Sequence, residues 1–183
     1  PLPTSSRRAS LRGAAFFSPP IASMFRSRQD YLLRLIEELT QFLARAVFQR
    51  KAGREMESLT AIVESCERLF GLEAAELFQF TPDQHFVMLT DGESPENARA
   101  KTLIYAALSA EAGRNYASLG KTELARGSFL SALRLTLRAR ESFPTDDPPP
   151  SYAPSIAELL QQLQDQPLDA ETASWLRPGE TSS

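Results

Sequence analysis

Apolar residues recur every three or four positions over long parts of this chain, and no other feature constrains the fold as much. A first stripe follows Tyr31 and consists of Leu32, Leu35, Ile36, Leu39, Phe42, Leu43, Ala46 and Val47. Charged and amide side chains occupy the opposite side, so this segment is predicted to be a long amphipathic helix that ends near Gly53. A second stripe predicts a helix ending at Gly71 and consists of Leu59, Ile62, Val63, Cys66, Leu69 and Phe70. The pattern favours an all-α fold.

Capping signals predict further helices between residues 72 and 143. "EAAELFQF" could form two helical turns, and residues 81–84 have the form of a capping box with proline in the first turn, which would open a helix through "HFVML". A strand over 85–89 is the alternative, but no second strand is predicted to pair with it. Ser94-Pro95 starts a helix that runs to about residue 119, and a partner helix follows over 122–143. Short connections predict antiparallel helical hairpins.

Composition divides the chain into three parts. Residues 1–27 are rich in Ser, Pro and Arg and are predicted to be a disordered extension, residues 28–143 to be the helical domain, and residues 144–183 to be a proline-rich linker and an acidic amphipathic tail. The first 23 residues have two interpretations. They are either sequence upstream of a true start at Met24, which is translated naturally or was added for expression, or a targeting segment. The tail has an apolar face, so it is expected to dock on the domain or on a second protein.

Three glycines at equal intervals of seven, Gly113, Gly120 and Gly127, interrupt the predicted helices. The first two, with Tyr116, Ala125, Phe129 and Ala132, make residues 106–139 resemble a tetratricopeptide repeat. Gly113 and Ala125 would let the two helices approach closely. Tyr116 and Phe129 would fill the space between the helices, and Gly120 would turn the chain. Gly127 has no place in the pattern and is interpreted as a second close contact or a weak point in the helix.

The resemblance implies a right-handed helical stack with a groove for a protein or peptide. By that resemblance the groove would be lined by Ala107, Ala110, Arg114, Ala117 and Ser118. Arg114 could bind a carboxylate of the partner, or it could pair with Glu111 or another internal acid. The chain departs from the repeat at Ser109, Ala112 and Leu137, where a large aromatic residue, leucine and proline are usual. Residues 28–143 are also similar to a group of bacterial helical proteins of unknown function.

Reactive side chains are few. Cys66 and His85 are the only cysteine and histidine, which excludes an internal disulfide and argues against zinc and catalytic-triad chemistry. Cys66 is interpreted as a small buried hydrophobe, and His85 as a residue that packs or hydrogen-bonds locally. Gly120-Lys121-Thr122 imitates the end of a phosphate-binding loop, but the glycine that should precede it is absent and no strand leads into it. No catalytic residue, metal or cofactor is predicted.

These features favour a cytoplasmic protein-interaction scaffold or adaptor without catalytic activity, which could form a homodimer through residues 31–48. The alternative is a small-molecule-binding or enzymatic helical bundle with a pocket near residues 72–93. A third hypothesis is nucleic-acid binding through Arg134, Arg138 and Arg140. The central part of the chain is nearly balanced in charge, which argues against a nucleic-acid partner. No stretch is long and apolar enough to span a membrane, so a soluble protein is expected.

Overall fold

The described part of the chain consists of helices and their connections, without a strand. The computed structural model describes residues 21–163 and 167–176, with side chains from residue 29 onward. The helices are α1 (Ile21–Lys51), α2 (Glu55–Phe70), α3 (Ala74–Leu77), α4 (Pro82–Thr90), α5 (Pro95–Ser118), α6 (Thr122–Ser142), α7 (Ile156–Gln162) and α8 (Ala170–Ser174). The predicted all-α class is confirmed for these residues. Residues 1–20 of the extension that was predicted to be disordered, and residues 164–166 and 177–183 of the tail, lie outside the described residues.

Helix boundaries follow the local capping interactions that the sequence predicts. The Thr81 hydroxyl accepts a hydrogen bond from the backbone N–H of Gln84 (3.3 Å), and the Gln84 side chain accepts one from the N–H of Thr81 (2.8 Å), which completes the capping box. The Ser94 hydroxyl caps α5 by accepting from the N–H of Asn97. α2 ends at Gly71, whose φ of 68° is left-handed. The alternative of a strand in the α4 region was wrong.

Three local predictions differ from the structure. α1 begins at Ile21, inside the predicted extension, because no proline or glycine interrupts the helix before Lys51. α3 is one turn instead of two, since the chain must become extended at Thr81 to cap α4. Gly127 is no close contact, because a Cβ atom there would meet nothing within 4 Å.

α5 is the central helix. It packs most extensively on α6 and also contacts α1, α2 and α4. Residues 102–108 are all buried, so neighbouring helices cover this segment on every side. Small side chains such as Ala106 and Ala110 allow this close approach from several directions.

Buried apolar side chains form two clusters. One joins α1, α2, α3 and α4 to α5 and includes Leu39, Leu77 and Ile104. The other joins α5 and α6 to the C-terminal segments, where Leu159 of α7 is buried and Trp175 packs against the cluster. The tail therefore docks on the chain itself, which was the first of the two expectations. No helix within the described ranges is long and apolar enough to cross a membrane.

Candidate functional site

A groove with a volume of about 360 Å³ lies between α2, α5 and α6, and we call it the three-helix groove. Its apolar walls include Leu59, Ile62 and Val63 of α2, Leu108 and Tyr116 of α5, Leu124 of α6, and Phe78 at the end of α3. Among the lining residues, all of which are described, Glu123 carries the only charge. The groove therefore favours an apolar occupant.

Small residues line the part of the groove that α5 and α6 provide. They are Ser109, Ala112, Gly127, Ser128 and Ser131. Because protein interiors are otherwise close-packed, small side chains on successive turns leave room for side chains of another molecule. The Ser128 hydroxyl donates to the carbonyl of Leu124 (2.8 Å), so its hydrogen-bonding need is already met within α6. This surface is open, and an occupant would need few polar groups to bind there.

Large apolar side chains beside the groove are exposed to solvent. Phe78 is 63% exposed and Leu124 is 52% exposed. Met56, three residues before Leu59 on α2, is also exposed. Exposed apolar side chains next to an apolar groove are typical of an interaction surface, because a partner would remove them from water.

Contact between Gly113 and Phe129 sets the separation of α5 and α6. A Cβ atom on Gly113 would lie 2.7 Å from Cε1 of the buried Phe129 ring, so glycine is required unless the ring moves. Gly120, with φ of 69°, turns the chain between the two helices. Ala125 and Ala132 are buried in the same cluster, and Tyr116 packs against it. The sequence assigned packing roles to these residues. They hold α5 against α6, which are two of the three helices beside the groove.

A set of mostly buried polar side chains joins α1 and α2 to α5. Glu111 is 1% exposed, and its carboxylate lies 2.6 Å from Nε of Arg50 and 3.2 Å from Nη1 of Arg114. Nδ2 of Asn115 donates to the Ser58 hydroxyl (2.9 Å), which donates to a carbonyl of α1 (2.8 Å). We call Arg50, Ser58, Glu111, Arg114 and Asn115 the polar junction. The buried carboxylate is tolerated because it is paired and hydrogen-bonded, and its contacts fix α1 relative to α5.

The residues that the sequence assigned to a partner-binding groove lie in different environments. Ala107 and Ala110 are buried, whereas Ala117 and Ser118 are exposed at the end of α5. Arg114 pairs with Glu111 and also, through Nη2, with Glu158 of α7 at 2.6 Å. Neighbouring helices therefore cover Ala107 and Ala110 but not Ala117 and Ser118, and a partner surface over the five residues stays a prediction. The internal pairing of Arg114 is the alternative that the sequence left open, and its contact with a partner stays a prediction.

The histidine lies within hydrogen-bond distance of two other residues, and the cysteine is buried. The Tyr105 hydroxyl lies 3.0 Å from Nδ1 of His85, and Nε2 of His85 lies 2.9 Å from the Leu77 carbonyl. Because a carbonyl can only accept, Nε2 carries a proton and donates. Burial, with a smaller contribution from the charge of Glu67, raises the pKa of Cys66 to about 12. Cys66 therefore stays a thiol at neutral pH, and both residues have the structural roles that were predicted.

Three α6 arginines that could have bound nucleic acid contact other parts of the chain instead. Arg138 lies 2.6 Å from Asp83 of α4, and Arg134 lies 3.3 Å from Glu171 of α8. Arg140 donates a hydrogen bond to a backbone carbonyl at the end of α8 (2.6 Å). These side chains connect α4 and α8 to α6 and do not form an open basic surface.

Neither a metal site among the described residues nor a comparison with known proteins gives a further indication of function. Within residues 21–163 and 167–176, no three His, Cys, Asp or Glu side chains come together in a way that could hold a metal ion. Compared with known proteins, the chain matches no family model, no curated protein and no solved structure. The function is therefore inferred from the groove and its residues.

Sequence reasoning did not assign the groove to α2 or to the small residues of α5. Ser109 and Ala112 stood out only as departures from the repeat pattern. A large aromatic residue and a leucine at these positions would fill the space that the groove occupies, so their small size was the available signal. Phe78 carried no such signal, because a phenylalanine in a short segment fits a core equally well.

Proposed function

We propose that this protein is an interaction module without catalytic activity that binds an amphipathic helix of a partner protein in the three-helix groove. The observation that carries the proposal is the exposure of Phe78 and Leu124 beside a groove lined by small residues. Side chains of a partner helix would fill the groove and cover both exposed residues. Burial of apolar surface would supply most of the affinity.

The dimensions of the groove suit a helix. α2 lines it from Leu59 to Cys66, and α6 lines it from Glu123 to Ser131. At 1.5 Å per residue these segments are roughly 10 to 12 Å long, which is about two helical turns. An amphipathic helix presents anchors at i, i+3 or i+4, and i+7 over this length, which is the spacing used in helix-in-groove complexes. The exposed carboxylate of Glu123 would select lysine or arginine at the edge of the partner's apolar face.

We further infer that α5 and α6 form one tetratricopeptide-like hairpin, and that α1 and α2 form a second antiparallel hairpin in a right-handed stack. The three-residue connections at 52–54 and 119–121 support this, as does the contact between Gly113 and Phe129. A single repeat cannot bury its own faces. α2 packs on α5 and α7 packs on α6, so both helices of the pair have the neighbours that such a unit requires.

The proposal is tested by selecting helical peptides from a display library against the full chain and mapping the complexes by hydrogen exchange. We expect selected peptides to be amphipathic and to slow amide exchange in residues 59–66 and 124–131. Leu124→Glu puts a charge against the apolar face of the peptide. It should weaken binding by at least about tenfold while leaving the helix content unchanged.

Val87→Glu is the matched control. Val87 is 58% exposed, close to the value for Leu124, and it lies on α4 outside the groove. Equal losses of affinity in both variants would indicate unspecific adhesion to exposed apolar residues. Selected peptides that still bind Leu124→Glu and protect other segments would overturn the assignment of the groove.

A homodimer through α1 and a cytoplasmic location remain part of the proposal. Leu35 and Leu39 of this helix are used in the core, so a dimer would rest on its exposed residues Tyr31, Leu33 and Phe48. Sedimentation of Leu33→Glu beside the parent chain tests this contact. The location is supported by the one cysteine, which is a buried free thiol.

A further inference from the structure

A second cavity, with a volume of about 680 Å³, lies between α5, α6 and the proline-rich segment before α7, and we call it the linker cavity. It shares no lining residue with the three-helix groove, and no residue of 72–93, where the sequence placed the alternative pocket, lines it. Its volume falls within the roughly 300 to 1,000 Å³ that is typical of small-molecule sites. The linker cavity is therefore large enough for an organic ligand.

Two guanidinium groups line the linker cavity. Arg99 of α5 forms no hydrogen bond or ion pair with the described residues. Burial raises the pKa of the Tyr152 hydroxyl, and the positive charge of Arg99 lowers it to a smaller extent. Arg140 of α6 donates to the Trp175 carbonyl (2.6 Å), so its guanidinium is held at the cavity wall. The cavity thus contains one uncommitted cation and one that is fixed in position.

Hydroxyl groups in the wall are already used. Thr136 donates to a carbonyl of its own helix (2.8 Å), and the Ser155 hydroxyl accepts from a backbone N–H of α7. The Thr145 hydroxyl donates to the carboxylate of Asp147 at 3.3 Å. An anion would accept charge-assisted hydrogen bonds from the N–H groups of Arg99, and these are stronger than the hydrogen bonds that a neutral polyol could accept there. The carboxylate of Asp147 would repel a second anionic group elsewhere on the ligand, which favours a ligand with one charged head group.

Apolar side chains complete the wall. Leu103 of α5 and Ile156 and Leu160 of α7 line the cavity, together with Pro149 and Pro154 of the preceding segment. Prolines restrict the backbone, so this outer wall is partly preorganised before a ligand arrives. The combination of cations with an apolar wall suits a ligand that is charged at one end only.

We propose that the linker cavity binds a small amphipathic organic anion, whose single charged head group is bound by Arg99 and whose apolar part packs on Leu103, Ile156 and Leu160. The head group is a carboxylate or a phosphate monoester, since both accept hydrogen bonds from guanidinium groups. A bound ligand would connect the proline-rich segment to α5 and α6, so exchange of the backbone amides of residues 151–157 with solvent should slow on binding.

Calorimetric titration of the full chain with octanoate, octyl phosphate and octylammonium tests the proposal. We expect saturable binding of at least one of the two anions, and binding of octylammonium that is weaker by about tenfold or more. Whichever anion binds more tightly identifies the head group. Equal binding of octylammonium, or no saturable binding of either anion in the millimolar range, would overturn the proposal.

Two variants test separately how the charge of Arg99 and the space in the cavity contribute to binding. Arg99→Gln should weaken binding of the anion by about tenfold or more, and Ala157→Phe, which fills the space, should abolish it, both at unchanged helix content. Arg68→Gln is the matched control, since it removes an exposed arginine of α2 far outside the lining. An Arg99→Gln variant that binds as the parent does would contradict the proposed role of Arg99. Peptide binding in the three-helix groove should be unaffected by Arg99→Gln, so the two proposals can fail separately.

Discussion

The two sides of α5 near its C-terminal end are held by different physical interactions. On one side Gly113 packs against the ring of Phe129 in α6, and the contact involves no polar atom. On the other side Glu111 and Asn115 hold α1 and α2 through an ion pair and directed hydrogen bonds. A steric contact of this kind fails when an atom is added, whereas a buried ion pair fails when a partner is removed.

The largest expected effect comes from removing the carboxylate of the polar junction. Glu111→Ala leaves Arg50 and Arg114 without their shared partner and opens a cavity at a fully buried position. We expect the free energy of unfolding, measured by urea denaturation, to fall by about 3 kcal/mol. This is the low end of the range for breaking a buried pair, because the two arginine side chains remain 20% and 27% exposed and keep contact with water.

Glu111→Gln is the control for this variant, since it keeps the volume and one carbonyl acceptor while removing the charge. We expect the smaller loss of about 1 to 2 kcal/mol that follows from weaker hydrogen bonds. If Glu111→Ala were as stable as the parent chain, the polar junction would not be what holds α1 on α5.

Next in size is the effect of adding one methyl group on the opposite side of α5. Gly113→Ala places its Cβ atom 2.7 Å from Cε1 of Phe129, and the ring is too deeply packed to move without displacing its neighbours. The higher helix propensity of alanine, about 1 kcal/mol, offsets part of the strain. We expect a net loss of about 1 to 2 kcal/mol in the free energy of unfolding.

A double-mutant cycle with Phe129→Leu checks the cause. The smaller side chain should relieve the contact, so Gly113→Ala should cost less in that background than in the parent chain. Purely additive losses would show that the destabilisation arises elsewhere. The steric explanation of the contact between Gly113 and Phe129 would then be wrong.

Sequence reasoning succeeded where an interaction is local along the chain. The capping box at Thr81 and Gln84 and the cap at Ser94 each join residues three positions apart, so their partners can be identified without knowing the fold. The contact of Gly113 with Phe129 is less local, but one helical hairpin contains both residues. The repeat-like spacing assigned both residues to the interface between the two helices, although it did not pair them with each other.

The same reasoning failed where partners come from distant segments. Glu111 was considered only as a partner of Arg114, and its burial depends on Arg50, 61 positions away. Charged residues are normally exposed, so a buried carboxylate cannot be identified before its partner is placed. The candidate groove shows the same limit, because it is defined by α2 lying beside α5 and α6, and no spacing within any one helix predicts that arrangement.

Gly127 tests whether an added methyl group destabilises the hairpin only where it meets a neighbouring side chain. It lies seven residues after Gly120, in the second turn of α6, but a Cβ atom there would meet nothing within 4 Å. Gly127→Ala should therefore raise the free energy of unfolding by about 0.5 to 1 kcal/mol through helix propensity alone. The urea midpoint of this variant should move in the direction opposite to that of Gly113→Ala. A destabilised variant would mean that this part of α6 is more crowded than its open surface indicates.

The smallest expected effect tests where the polar junction ends. Glu158 of α7 pairs with Arg114 at 2.6 Å, but its side chain is 46% exposed, in contrast to that of Glu111. Glu158→Gln should lower the free energy of unfolding by only about 0.2 to 1 kcal/mol, and salt should reduce this difference because the pair is open to solvent. In the Glu111→Ala background Arg114 has no other carboxylate within ion-pair distance among the described residues, so the loss of Glu158 should then cost more. Equal costs in both backgrounds would mean that the pair with α7 is independent of the junction, and that the docking of the tail rests on its apolar contacts alone.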